Sequence, residues 1–165
     1  MSPLVVVRGA MIVATAAWAA GEALRNRSPR SDRWARAIWT VGIVFALLHV
    51  ALAFHLIYAW DHDAAVEATA RQTADLTGWS WRGGLYVNYA FLAAWLLDVC
   101  WWWARPQSYR SRSTRFEWAR FTIFIFMFFN GAVVFASGAG RLAGVVSLMV
   151  VLVASMTRQP RSSFA

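Results

Sequence analysis

The stretch VGIVFALLHVALAFHLI, residues 41–57, contains no Asp, Glu, Lys or Arg and no alternation of apolar and polar residues. A strand of a membrane barrel would alternate with a period of two, whereas an unbroken apolar run predicts a membrane-spanning helix. A hydrocarbon core of about 30 Å requires about 20 such residues. Four further runs approach this length, so the sequence predicts five spanning helices, at about residues 4–23, 35–60, 84–103, 116–136 and 142–156.

The composition of the whole chain agrees with this prediction. Its 165 residues are 59% hydrophobic and 15% charged, while soluble domains are about 45–50% apolar and about 25% charged. The chain therefore has too little polar surface to cover a globule in water, and it is too hydrophobic to be disordered. Cys100 has no second cysteine to pair with, which excludes a disulfide scaffold. We predict an all-α polytopic membrane protein that forms a single membrane domain over residues 1–165.

The basic residues indicate how the chain is oriented in the membrane. All sixteen are arginines, and the formal net charge is +8. Most lie in two connections between apolar runs and not along one helix face, so they indicate topology and not a nucleic-acid partner. Positive loops face the cytoplasm, which predicts an N terminus outside and a C terminus inside, in a bacterial cytoplasmic (inner) membrane. The two connections contain Arg25, Arg27, Arg30, Arg33 and Arg36, and Arg105, Arg110, Arg112, Arg115 and Arg120, and the predicted inner tail contains Arg158 and Arg161.

The connection over residues 61–83 is the one sizeable outer loop. Its middle predicts a short amphipathic helix that Asp63 can cap and Gly78 can end. The acidic start of this loop is a candidate divalent-cation site, because carboxylates and imidazole are metal ligands. The candidate ligands are Asp61, His62, Asp63 and Glu67. The alternative is that these side chains are solvated and serve only to cap the helix.

Polar residues inside the predicted spans are candidate functional groups, because an ionisable group at the bilayer centre costs about 2.5–3.5 kcal/mol. His49 and His55 lie in the second span, and Asn88 and Asp98 lie in the third. A rise of about 1.5 Å per residue places His55 level with Asn88 and His49 about 6 Å from the level of Asp98. We expect a polar seam between these two helices, which either holds them together or relays protons.

His49 is also a candidate haem or quinone contact. His49 and His55 point about 120° apart on one helix, so they cannot bind one haem from opposite faces. A second ligand would have to be Met127, Met149 or a histidine of a second copy. The sequence predicts no cofactor, and haem b is the alternative to be tested.

The sequence motifs of common enzyme classes are absent from this chain. It contains no His-Glu-x-x-His, no phosphate-binding glycine-rich loop, no Gly-x-Ser-x-Gly and no Cys-x-x-Cys. We therefore expect no catalytic residues, and we expect an accessory or scaffold subunit of a membrane complex. Its partners would be the lipid bilayer and other membrane subunits or further copies of the chain, with no nucleic acid. The alternatives are a proton-coupled carrier or relay and a haem- or quinone-binding redox protein.

Overall fold

The computed structural model describes residues 2–157, and within that range all regular structure is helical. The predicted tail residues Arg158 and Arg161 lie outside the described residues. Within residues 2–157, five helices are long and apolar enough to cross a membrane, which confirms the predicted number of spans. The elements are α1 (Pro3–Leu24), α2 (Pro29–Leu56), α3 (His62–Thr77), α4 (Gly84–Ala104), α5 (Pro106–Arg110), α6 (Thr114–Phe129), a π-helical turn (Asn130–Val134) and α7 (Gly138–Met156).

Helix α2 begins and ends earlier than the predicted span 35–60. Its start is fixed by a capping box, in which the Ser28 and Ser31 side chains each bond the other residue's backbone N–H, and Pro29 occupies the first turn. Its end is fixed by Ala59 and Trp60, whose φ angles of 49° and 63° are left-handed. The N–H of Trp60 then donates to the carbonyl of Phe54 at 2.9 Å. The whole helix is therefore displaced toward the N terminus of the chain.

The short helix predicted in the outer loop is present as α3. Asp61 caps it by accepting a hydrogen bond from the backbone N–H of Ala64, so the cap is Asp61 and not Asp63. Gly78 ends the helix in the left-handed conformation (φ 75°), as predicted. Helix α3 packs against α4.

Aromatic side chains form the centre of the bundle. Helix α1 packs along α2 and α7, while α2 also packs against α4. Trp18 of α1 stacks on Phe128 of α6 at 4.2 Å between ring centroids, and Trp39 of α2 stacks on Phe124 at 5.0 Å. Trp95 of α4 meets Phe124 and Phe128 edge-on, each at 5.5 Å. We call these five rings the aromatic layer, and all of them are buried.

Candidate functional site

A cluster of buried charges lies at the bundle end where α1 finishes, α2 begins, α4 finishes and α6 begins. It contains three acids and three arginines, so its formal charge is zero. Glu22 is fully buried and Arg25 is 1% exposed. We call it the ion network, and its members are Glu22, Arg25, Asp98, Arg112, Glu117 and Arg120.

The local sequence explains why the side chains of the ion network lie on the helix faces that meet. Glu22 and Arg25 are three residues apart at the end of α1, and Glu117 and Arg120 have the same spacing at the start of α6. Residues with this spacing lie on the same helix face. Ser113 caps α6 by accepting a hydrogen bond from the backbone N–H of Phe116, which places Arg112 just ahead of the helix. Asp98 comes from α4, so three spanning helices supply the cluster.

Asp98 is bound on both carboxylate oxygens. Its Oδ1 accepts a hydrogen bond from Arg112 Nη1 at 2.8 Å. Its Oδ2 accepts from Trp39 Nε1 at 3.0 Å and from the Tyr109 hydroxyl at 2.8 Å. These contacts connect α4 to α2, to α5 and to the segment before α6. A buried carboxylate with three donors, one of them a guanidinium, is well compensated for its loss of water.

Arg120 makes the corresponding connection between α6 and α1. Its Nη2 donates to Glu22 Oε1 at 3.1 Å and lies 3.0 Å from Glu22 Oε2. The same nitrogen lies 3.4 Å from Glu117 Oε2. Glu117 also pairs with Arg112, which binds Asp98. The Glu117 carboxylate therefore joins the contacts of Arg120 to those of Arg112.

Arg25 lies between the three carboxylates without a close bond to any of them. Its guanidinium nitrogens are 3.7 Å from Glu22, 3.9 Å from Asp98 and 3.9 Å from Glu117. Within residues 2–157 these nitrogens make no hydrogen bond. Burial lowers the pKa of Arg25 to about 9, and the Arg120 cation acts in the same direction. A pKa of about 9 still leaves Arg25 charged at pH 7.

Aromatic faces take the place of water around Arg25. Its guanidinium carbon lies 5.0 Å from the ring centroid of Trp39, 4.5 Å from that of Trp102 and 5.1 Å from that of Tyr109. Trp102 and Tyr109 stack on each other at 4.5 Å. Cation–π attraction of this kind strengthens when the cation is desolvated, to about 2 kcal/mol or more. The site therefore holds a cation by ring faces and by carboxylates at a distance.

The predicted seam between His49 and Asp98 is not formed. His49 Nδ1 lies 2.9 Å from the carbonyl oxygen of Val7, in the interface between α2 and α1, whereas Asp98 belongs to the ion network. The physical reason is the displacement of α2. Asp98 is level with Trp39, and His49 lies about 15 Å further along the helix.

The second predicted pair, His55 and Asn88, is also not brought together. Both residues are exposed. The His55 ring lies near that of Trp60, at 6.5 Å between centroids. In the described part of the chain, Asn88 has no hydrogen bond to His55.

The candidate cation ligands of the outer loop point to different partners. Asp61 caps α3, while Glu67 pairs with Arg82. The His62 ring lies among those of Phe54, Tyr86 and Tyr89, at 5.8–6.3 Å, and Asp63 is exposed. Among residues 2–157 no group of three or more His, Cys, Asp or Glu residues is arranged to hold a metal ion.

The hydrogen bond to Val7 fixes the tautomer of the His49 ring in its neutral form. The Val7 carbonyl can only accept, so His49 Nδ1 must carry the proton that it donates. In the neutral ring, Nε2 then carries the lone pair. Histidine ligands of metals commonly donate their other N–H to a backbone carbonyl in this way.

No protein-family model, curated protein or solved structure matches this chain. The functional assignment therefore depends on the geometry of its own residues. Sequence reasoning did not identify the ion network, because it treated Arg25, Arg112 and Arg120 only as topology signals. The detectable signal was the repeated Glu-x-x-Arg spacing, at Glu22 and Arg25 and again at Glu117 and Arg120.

Proposed function

We propose that this chain is a multi-pass protein of a bacterial cytoplasmic membrane, with its N terminus outside and its C terminus inside. The arginines that the ion network does not use support this orientation. Among residues 2–157, six such arginines are exposed at the same end of the bundle, where the positive-inside rule places the cytoplasm. Exposed tryptophans at that end are typical anchors of the membrane interface. The arginines are Arg27, Arg30, Arg33, Arg105, Arg110 and Arg115, and the tryptophans are Trp34, Trp103 and Trp118.

Within that membrane we propose an accessory or scaffold subunit without a catalytic centre of its own. The observation that carries this proposal is the charge balance of the ion network. Each acid faces an arginine of another element, so the buried charges serve to join α1, α4 and α6. A buried ion pair is weak evidence for net stability, and in some proteins such pairs specify one arrangement of the helices. A bundle fixed in this way presents a constant surface to a neighbouring subunit.

The relay hypothesis gains no support from the arrangement of polar groups. The ion network lies at one end of the bundle, and the aromatic layer packs beside it. Trp39 belongs to both, because its indole nitrogen binds Asp98 while its ring stacks on Phe124. Within residues 2–157, no sequence of polar contacts runs from Asp98 to His49. We therefore favour the scaffold function over the proton-relay function.

A second candidate function is a haem-binding redox subunit, and the orientation of His49 favours it. The Nδ1 bond to Val7 prepares Nε2 as a ligand atom. A methionine or a residue of another subunit would have to supply a further ligand if a haem were bound. This candidate is compatible with the first, since a redox complex also contains accessory subunits.

Native mass spectrometry of the chain, extracted from its membrane in a mild detergent, tests both candidates. We expect a stoichiometric complex with at least one other membrane subunit or with further copies of the chain, because the proposed role requires a partner. A lone monomer that persists in several mild detergents would contradict the scaffold proposal. The haem candidate requires a bound mass of haem and a Soret absorption band, and the band must disappear in His49→Ala.

A further inference from the structure

An open cleft of about 430 Å³ lies beside the ion network, where the connection between α1 and α2 meets the end of α5. Its charged side chains are Arg27, Arg110 and Asp32, so its formal charge is +1. The remaining lining residues are Asn26, Ser28 and Pro29. The cleft also adjoins the N-terminal end of α2, where the helix dipole adds partial positive charge.

The walls of this cleft are fixed by a buried carboxylate. Asp32 is 8% exposed. Its Oδ1 accepts a hydrogen bond from the backbone N–H of Asn26 at 2.8 Å, and its Oδ2 lies 3.2 Å from Arg110 Nε. Asn26 has a left-handed φ of 62°, and the capping box at Ser28 holds the next turn. Asp32 therefore holds the backbone of the connection and the Nε atom of Arg110 before any ligand binds.

Both arginines keep donors for a ligand. Asp32 occupies Nε of Arg110, and no other hydrogen bond or ion pair holds the Arg110 guanidinium in the part of the chain that the structure describes. Arg27 makes one long hydrogen bond, from Nη2 to Thr157 Oγ1 at 3.5 Å. A guanidinium presents five N–H groups that match the oxygens of a phosphate. Two such groups in a cleft of charge +1 suit one singly charged phosphodiester.

We propose that this cleft binds the phosphodiester headgroup of an anionic phospholipid. The cleft lies at the polar first turn of α2, and the apolar stretch of the helix begins after Arg36. The acyl chains of a lipid bound by its headgroup there would extend along α2 toward that stretch. A zwitterionic lipid carries its own ammonium group, which a cleft of charge +1 disfavours. An anionic lipid brings no such cation. This site is independent of the proposed scaffold role, because it requires no partner subunit.

The test is calorimetric titration of the delipidated full chain in a neutral detergent. The probes are dihexanoyl phosphatidylglycerol, dihexanoyl phosphatidylcholine and inorganic phosphate. We expect phosphatidylglycerol to bind at least about tenfold more tightly than either of the others. The double variant R27Q/R110Q should weaken that binding about 30-fold, from about 1 kcal/mol for each arginine near an anionic headgroup. The control is R33Q/R115Q, which removes the same charge from the same end outside the cleft and should weaken binding less than about threefold.

Three results would overturn the proposal. If the two double variants lose the same affinity for phosphatidylglycerol, the lipid is attracted by the overall positive charge of this end of the bundle and is not bound in the cleft. Equal binding of the two lipids would exclude selection for anionic lipid. Inorganic phosphate that binds as tightly as phosphatidylglycerol would identify a soluble anion as the ligand. If R27Q/R110Q does not fold, Arg27→Gln alone supplies the test, because Arg27 has only its exposed contact to Thr157.

Discussion

Replacing Asp98 with asparagine is expected to lower the free energy of unfolding by about 3 kcal/mol or more, the cost of removing one partner of a buried ion pair. Asparagine keeps the shape of the side chain and can still accept a hydrogen bond from Trp39. It removes the charge that faces Arg112 at 2.8 Å and Arg25 at 3.9 Å. The buried guanidinium groups of Arg25 and Arg112 would then share two carboxylates, those of Glu22 and Glu117, in place of three. Unfolding in mixed detergent micelles, followed by circular dichroism, measures the loss.

The matched control for this variant is Asp75→Asn. Asp75 is exposed on α3, so the same chemical change should alter the free energy of unfolding by no more than about 0.5 kcal/mol. A loss below about 1 kcal/mol for Asp98→Asn, or equal losses for the two variants, would mean that the ion network does not hold the helices together.

Replacing Gly144 with alanine is expected to lower the free energy of unfolding by up to about 3 kcal/mol, because it overpacks a close contact. A Cβ at Gly144 would collide with the backbone carbonyl of Ala132, and its third neighbour, the Ala132 Cβ, would lie only 2.8 Å away. Ala132 belongs to the π-helical turn after α6, so relief requires movement of backbone and not of a flexible side chain. The same unfolding measurement reports the effect.

Gly140 on the same helix provides the comparison. A Cβ there would meet only the Ala136 Cβ, at 3.8 Å, which is an ordinary contact. Gly140→Ala should leave stability unchanged or raise it by up to about 1 kcal/mol, because alanine is the better helix former. Similar effects of the two variants would contradict the described contact between α7 and the π-helical turn.

The number and approximate positions of the spanning helices could be predicted from the sequence because long apolar runs have few structural solutions in a membrane. The predicted span 84–103 agrees closely with α4, Gly84–Ala104. The span 35–60 was displaced, because the capping box at Ser28 and the left-handed turn at Ala59 leave only weak marks in an apolar sequence. Because of that displacement, the sequence analysis paired Asp98 with His49, whereas in the structure Asp98 binds Trp39.

The Glu-x-x-Arg spacing could have indicated part of the candidate site, but the rest depends on packing between distant segments of the chain. Whether a guanidinium near a helix end reaches water or turns inward depends on which neighbours surround it. Arg25 turns inward because Trp39, Trp102 and Tyr109 converge on it from three elements, while Arg27, two residues later, remains exposed. The π-helical turn that distinguishes Gly144 from Gly140 is likewise a property of backbone packing.

We propose that the five helices cross the membrane with the ion network at the cytoplasmic end. Cysteine labelling with a membrane-impermeant maleimide, in a Cys100→Ala background, tests it most directly. Asp75→Cys places a single thiol at an exposed position before the start of α4, and Ser108→Cys places one at an exposed position after its end. In right-side-out vesicles we predict that Asp75→Cys is labelled and that Ser108→Cys is labelled only after permeabilisation. The reverse pattern would show that the ion network lies at the outer end, and labelling of both thiols from one side would show that α4 does not cross the membrane.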